Sequence, residues 1–318
     1  KVSVLFEDNR DMLPAFTGNE SDTAFTGKVS LQHFVADDVM LFASFSTGYK
    51  GQAYDIASGF NQIRVDNPVG AETSRSYELG AKGRLFDNML SFALTGFWTD
   101  YNDFQAQSAR LLPTGLQLIL NNVGKARTKG VEFETTLNPV EGLNFFAQAA
   151  YTDAEVRSFP NANCFAGQPV VAAPTGPRQC FFNATLNRNV QELAGGSLAN
   201  TPKFKFSVGG SYETPIGSSP LSAFLNANYS WQGDTNFDLF GNPLTTQSSY
   251  GIANISLGLK ESENEDWKVT FFVNNLFDKN YSAGIGDLRN FFGGTIVLNQ
   301  QLARNFHRYA GMKIKVGF

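Results

Sequence analysis

Residues 306–318 read Phe-His-Arg-Tyr-Ala-Gly-Met-Lys-Ile-Lys-Val-Gly-Phe. Met312, Ile314, Val316 and Phe318 fall on one side of a period-2 pattern; Lys313, Lys315 and Gly317 fall on the other. A strand patterned in this way has one face suited to an apolar medium and one that tolerates charge. A single sandwich strand would read the same. The segment is decisive because its pattern recurs along the chain. The last strand of a closed barrel, which must pair with the first, would also end in this way.

About eleven alternating segments follow the pattern. Phe204, Phe206, Val208, Gly210 and Tyr212 oppose Lys203, Lys205, Ser207, Gly209 and Ser211. Leu221, Ala223, Leu225, Ala227, Tyr229 and Trp231 oppose Ser222, Phe224, Asn226, Asn228, Ser230 and Gln232. Val131, Phe133, Thr135 and Leu137 oppose Glu132, Glu134, Thr136 and Asn138. Each reads as a strand with one apolar and one polar face, and no stretch shows sustained helical periodicity. The segments at 143–156 and 267–281 are longer than the usual five or six residues of a globular strand. A tilted membrane strand needs about 9–11 residues.

The connectors alternate in length. Short turns fall at 36–38, 87–88, 138–142, 215–220 and 262–266, and long links at about 7–23, 51–73, 105–116, 157–201, 233–247 and 284–304. Tight turns at one end and long loops at the other are the plan of an outer-membrane barrel. The long links are therefore expected to be extracellular. Tyr49, Trp98 with Tyr101, Tyr151, Tyr229 with Trp231, and Phe277 with Tyr281 cluster where strands meet long links, as an aromatic girdle would.

Composition agrees. Phe and Gly each number 30, aromatics make up 14% and charged residues 17%, against roughly 25% charged in typical soluble domains. Mean hydropathy is only −0.20, and no segment approaches the ~18 apolar residues of a membrane helix. Barrel strands hide their apolarity by alternation. Net charge is −4 with both signs spread along the chain, so nothing suggests a nucleic-acid partner. Cys164 and Cys180 share one Pro/Gly-rich link and are expected to form a disulfide in an oxidising compartment. Closing that loop would contribute on the order of 3 kcal/mol. His33 and His307 are isolated, which argues against an enzyme, a metal centre or a cofactor. Asp234 to Asp238 begin like a calcium loop, but Leu239 and Thr245 stand where glycine and glutamate are needed.

Several motifs resemble the TonB-dependent outer-membrane receptors. Asn274-Asn275-Leu276-Phe277-Asp278-Lys279-Asn280-Tyr281 resembles their penultimate-strand signature. Phe45 to Lys50, Tyr77 to Lys82 with Phe97 to Tyr101, and Asn122 to Glu134 resemble successive strands, so the likeness extends over most of the chain. The resemblance implies an all-β, transmembrane antiparallel barrel of 22 strands, of which this single-domain, N-terminally incomplete chain would supply the C-terminal half. It implies a plug with a TonB box outside this chain and contact with the TonB complex. Phe318 would be the signal read by the barrel-assembly machinery. The implied function is active uptake of a scarce bulky nutrient across the bacterial outer membrane. A ferric siderophore comes first; cobalamin or a carbohydrate is possible. A passive porin or structural barrel is the alternative.

Two residue sets would carry that function. Lys28, Glu78, Lys82, Arg84, Glu132, Glu134, Lys203, Lys205, Lys313 and Lys315 would face the lumen and meet the plug or the substrate path. Tyr54, Phe60, Arg64, Phe237, Phe240, Arg289, Phe291 and Phe292 in the long links would contact a small-molecule substrate, since exposed aromatics on loops usually touch something. Membrane lipid and lipopolysaccharide are the expected surroundings.

Overall fold

The computed structural model describes residues 2–6, 16–55, 62–66, 68–112, 115–122, 124–261, 266–289 and 292–317. Eleven strands form one antiparallel meander. They are β1 (Lys28–Ala36), β2 (Val39–Lys50), β3 (Glu72–Leu85), β4 (Leu90–Asn102), β5 (Lys125–Val140) and β6 (Leu143–Ser158). They continue with β7 (Phe204–Pro215), β8 (Leu221–Gln232), β9 (Tyr250–Glu261), β10 (Trp267–Asn274) and β11 (Tyr309–Val316). Each pairs with its neighbours in sequence, leaving β1 and β11 as the edges.

The register carries two chemically distinct faces across the sheet. On one, Lys82 pairs with Ala93, then Glu134, Gln148, Ser207, Ser230 and Ile252 follow in line. On the other, Leu79 leads through Gly96, Val131 and Tyr151 to Phe204. The polar face is laced by cross-strand hydrogen bonds. Ser44 donates to Glu78 at 3.0 Å, Asn254 to Asn228 at 2.9 Å, and Ser207 and Ser230 share a bond of 2.8 Å. Lys260 and Glu213 form an ion pair at 3.0 Å. The apolar face leaves Leu79, Leu257, Phe271 and Ile314 more than half exposed. So much continuous apolar surface would aggregate in water, whereas a bilayer requires it. No helix among the described residues is long and apolar enough to cross a membrane.

The paired abundance of Phe and Gly has a structural cause. On the polar face Phe42 lies directly across from Gly80, Phe97 from Gly130, Phe146 from Gly209, Phe224 from Gly258 and Phe272 from Gly311. In each pair the ring covers the glycine so closely that a methyl there would sit 2.5 to 2.8 Å from it. Every such pair joins the two strands flanking a long loop, with Phe on the earlier strand. Glycine in a strand normally weakens it, and a cross-strand aromatic restores the lost packing. The five pairs also pin register, because a slip would drive each ring into a side chain.

Three expectations need correction. The strand expected over 267–281 stops at Asn274, because Asn275 turns the chain with φ of 51°. Tyr101 and Trp98 do not share a girdle: Trp98 pairs with Tyr77 on the apolar face, whereas Tyr101 pairs with Ser74 on the polar face and packs on Phe104. Tyr281 likewise turns inward and stacks on Tyr250. The long links are also not bare loops. They carry hairpins at Gln105–Leu112 with Gly115–Asn122 and at Ser282–Asp287 with Leu298–Leu302, and a four-stranded sheet between 162 and 191.

Candidate functional site

The polar face forms an open cleft of about 540 Å³ toward the long-loop end of the sheet, lined in part by Glu132, Glu134, Gln148, Lys205, Gln232 and Tyr250. Strand alternation puts these side chains on one face, and the register places them side by side: Glu132 and Lys205 both lie opposite Ala150. Carboxylates, an amine and amides are thus interleaved with aromatic edges. Tyr250 and Tyr281 stack with centroids 4.4 Å apart, and the Tyr281 hydroxyl donates to Asn305. That stack fixes the loop 275–308 over one wall of the cleft.

The motif around Asn275 anchors this loop. Asn275 is completely buried. Its side-chain amide donates to the carbonyls of Lys279 (2.9 Å), Asn305 (3.0 Å) and Phe306 (3.3 Å), and its carbonyl accepts from the Lys279 amide at 2.8 Å. Its backbone amide donates to Asn254 at 3.0 Å. Asp278 accepts from the Arg308 amide at 2.7 Å, which holds its carboxyl below the usual range. One short motif therefore joins the two ends of a long loop and ties them to β9.

Beyond the strand ends, three long loops pack on one another. Val156, Ala162, Leu193 and Phe240 form a small buried core. Cys164 and Cys180 are bonded, with Cα atoms 5.6 Å apart. Asn242 donates to Asp287 at 2.9 Å, and Arg289 pairs with Asp287 at 3.4 Å. The carboxylate of Asp238 accepts from the amides of Phe240 and Asn242 at 3.1 and 3.2 Å. Burial, first of all, pushes the Asp238 carboxyl above its ordinary value, and Asp287 adds to the shift. An acid whose folded value is raised contributes most stability below its unfolded value near ~4, and that contribution declines as pH rises through the folded value. Amide protection factors in residues 233–247, which divide out the base-catalysed rise in intrinsic exchange, are therefore expected to fall from about pH 4 upward. A flat or opposite profile would count against this account.

The anticipated contact residues separate. Tyr54 is buried, with its ring 2.5 Å from where a methyl on Gly18 would lie, and Phe240 belongs to the loop core. Both serve packing between loops: Phe240 closes a core with residues of the 157–201 link, and Tyr54 covers Gly18 in the hairpin of residues 2–6 and 16–20. The Arg289 side chain is 15% exposed and is held by Asp287, with its guanidinium lying over Gly167. Phe237 is half-buried, and Phe292 is 53% exposed. Arg64 belongs to a single helical turn, Gln62–Asp66, but its side chain lies outside what is described. Phe60, Phe291 and Phe318 lie outside the described residues.

Lys28, Glu78, Lys82, Arg84, Glu132, Glu134, Lys205, Lys313 and Lys315 all occupy the polar face. Lys203 does not. It precedes β7, and its amine lies 3.6 Å from Asp153, which the register places on the opposite face with Lys129. Gln148, Gln232, Tyr250 and Asn305 escaped the sequence reading. Each is an unremarkable polar residue until the register sets it beside the others.

An antiparallel meander with one polar face, one exposed apolar face and long loops at one end defines a transmembrane β-barrel. The family profile described as TonB dependent receptor-like, beta-barrel matches residues 5–276. The chain belongs to that family. It is 26% identical over 260 residues to the ferric-pyoverdine M114 receptor PbuA of Pseudomonas sp. (strain M114), covering 81% of this chain and 26% of that protein. Among solved structures, the ferric yersiniabactin uptake receptor FyuA of Yersinia pestis superimposes with a TM-score of 0.68 at 20% identity, covering 96% of this chain and 39% of that one. The siderophore receptor PiuA of Acinetobacter baumannii gives 0.63 at 17%, covering 96% and 37%. The chain spans about a quarter of the length of the curated relatives it matches.

Proposed function

We propose that the chain is part of the barrel of a TonB-dependent receptor that imports a ferric siderophore across the bacterial outer membrane. The observation that carries this reading is the cleft on the polar face, bordered by Asn305 of the loop 275–308 and lined by Glu132, Glu134, Lys205 and the Tyr250–Tyr281 stack. In a barrel that face is the lumen, where a plug would dock and a substrate would pass. The relatives' recorded ligands favour ferric siderophores. Cobalamin or carbohydrate uptake would place the same geometry in the same class. Contact with TonB through a plug outside this chain, and assembly through Phe318, belong to the same proposal.

The test is uptake of radiolabelled iron bound to hydroxamate, catecholate or pyoverdine-type siderophores by cells whose only such receptor is the full-length protein. Uptake is expected to be saturable and to vanish when TonB is deleted. Uptake unaffected by loss of TonB would point to a passive pore and overturn the reading. A Glu132→Lys, Glu134→Lys pair should lower uptake while leaving the amount of assembled barrel unchanged.

A further inference from the structure

Charge on the polar face is distributed unevenly along the strands. At the short-turn end, Lys260 of β9 lies opposite Lys268 of β10, and Lys268 lies opposite Lys315 of β11. Lys313 stands two residues further along β11, opposite Thr270. Like charges directly across a strand pair weaken it, so sheet stability does not explain three lysines in one cross-strand row. The strands β7–β11 set one carboxylate on this face, Glu213, and it is taken by Lys260 at 3.0 Å. Among the described residues, Lys268, Lys313 and Lys315 make no ion pair, not even with Asp266 in the turn before β10.

The row has a floor and a hollow beside it. Neighbouring strands stand about 4.8 Å apart, so the row spans roughly 10 Å. The Lys268 amine lies 4.3 Å from the centroid of the Phe224 ring, which itself covers Gly258. A cation over a ring face is held in place without being neutralised. Lys260 is drawn back, its side chain 12% exposed, while Lys313 and Lys315 are exposed. Next to them the face hollows into a cavity of about 830 Å³, lined in part by Ser211, Glu213, Phe224, Asn226 and Lys268. Hydroxyl and amide groups there can hydrogen-bond a ligand beside fixed positive charge.

This end is the chemical opposite of the cleft near the long loops, where Glu132 and Glu134 outnumber Lys205. In a barrel of this plan the short-turn end is the periplasmic exit of the lumen. A wall of one charge sign with little opposing charge concentrates ions of the other sign. We infer that Lys268, Lys313 and Lys315, with Lys260 behind them and Phe224 beneath, form an exit-side subsite for a small polyanion, a carboxylate-rich ferric chelate. Carboxylates set about one strand spacing apart, ~5 Å, would each meet one amine of the row by a charge-assisted hydrogen bond. This subsite presupposes the uptake reading proposed above and adds the charge of the cargo to it.

The test uses the full-length receptor in a neutral detergent. Acetylation of individual lysines is followed by mass spectrometry with citrate, with uncharged trimethyl citrate, or with chloride at matched ionic strength. Citrate should slow acetylation of Lys268, Lys313 and Lys315 about fivefold, the scale of one charge-assisted bond, and leave Lys28 and Lys50 at the long-loop end unchanged. Neither control should protect the row. Equal rates in citrate and chloride would overturn the subsite. So would carbodiimide coupling of these lysines to the receptor's own carboxylates without citrate, since a plug acid would then hold the row. In cells, a Lys268→Gln, Lys313→Gln, Lys315→Gln variant that migrates as folded barrel should import ferric citrate about fivefold more slowly than the native protein. Its surface binding of that chelate and its uptake of a neutral ferric hydroxamate should not change. Slowed uptake of both chelates would tie the lysines to the general operation of the barrel and overturn a polyanion subsite. Import of neither chelate by the native receptor would sink the uptake reading, while the acetylation rates would still decide the subsite.

Discussion

Gly258→Val is expected to prevent assembly of the barrel, and Gly130→Val to do the same. A methyl on Gly258 would lie 2.0 Å from the Val269 carbonyl oxygen and 2.8 Å from the Phe224 ring. On Gly130 it would lie 2.0 Å from the Tyr151 carbonyl oxygen and 2.8 Å from the Phe97 ring. A ring can rotate away, but a ladder carbonyl cannot move without separating two strands. Overpacking usually costs about 1–3 kcal/mol, and contact with backbone belongs at or above the upper end. Glycine-to-valine changes elsewhere in strands tend the other way, because valine favours the extended chain. Gly96→Ala is the control, since its nearest atoms are 3.8 and 4.0 Å away, and it should assemble normally. The readout is the fraction of unheated protein migrating as folded barrel. Normal assembly of Gly258→Val would remove the argument that these close pairs set the register.

The strand pattern made the sheet legible because alternation is a local property, and loop lengths gave its polarity. Residues 306–318 show this well: Met312, Ile314 and Val316 take one face and Lys313 and Lys315 the other. Cross-strand neighbours were not legible. Nothing in the sequence sets Phe224 opposite Gly258 or brings Glu132 and Lys205 to a common neighbour, since those meetings depend on register between segments far apart in the chain. Lys203 failed for a related reason: its parity assigned it to the lumen, but it precedes the strand, where alternation no longer governs direction. Phe240 and Tyr54 failed because an aromatic in a long link was read as exposed, whereas each is buried against a different loop segment of the chain, Phe240 on Leu193 and its neighbours and Tyr54 on Gly18.

Asn275→Leu is expected to free the loop 275–308 while leaving most of the sheet intact. The Asn275 side chain hydrogen-bonds to both ends of that loop, and Asp278 and Tyr281 each add one bond between the same two ends. Leucine would leave the carbonyls of Lys279, Asn305 and Phe306 and the amide of Lys279 without their partner. Buried unsatisfied groups cost roughly 1–3 kcal/mol each where water cannot reach them. The backbone adds a second penalty. At φ of 51° asparagine is tolerated far better than a branched apolar residue, and the strain is of order 1–3 kcal/mol. Asn275→Gly separates the two effects by keeping the conformation and removing the bonds, so it should fall between leucine and the native residue. Asn275→Asp retains the acceptor for Lys279 but loses all three donated bonds, and its charge is buried without a counterion. The order of increasing susceptibility to limited proteolysis within 279–308 should be native, glycine, then leucine. Tyr281 would then leave Tyr250, opening one wall of the cleft, so iron uptake should fall even where the barrel migrates as folded. Native protease resistance in Asn275→Leu would show that the loop is held by contacts other than this one side chain.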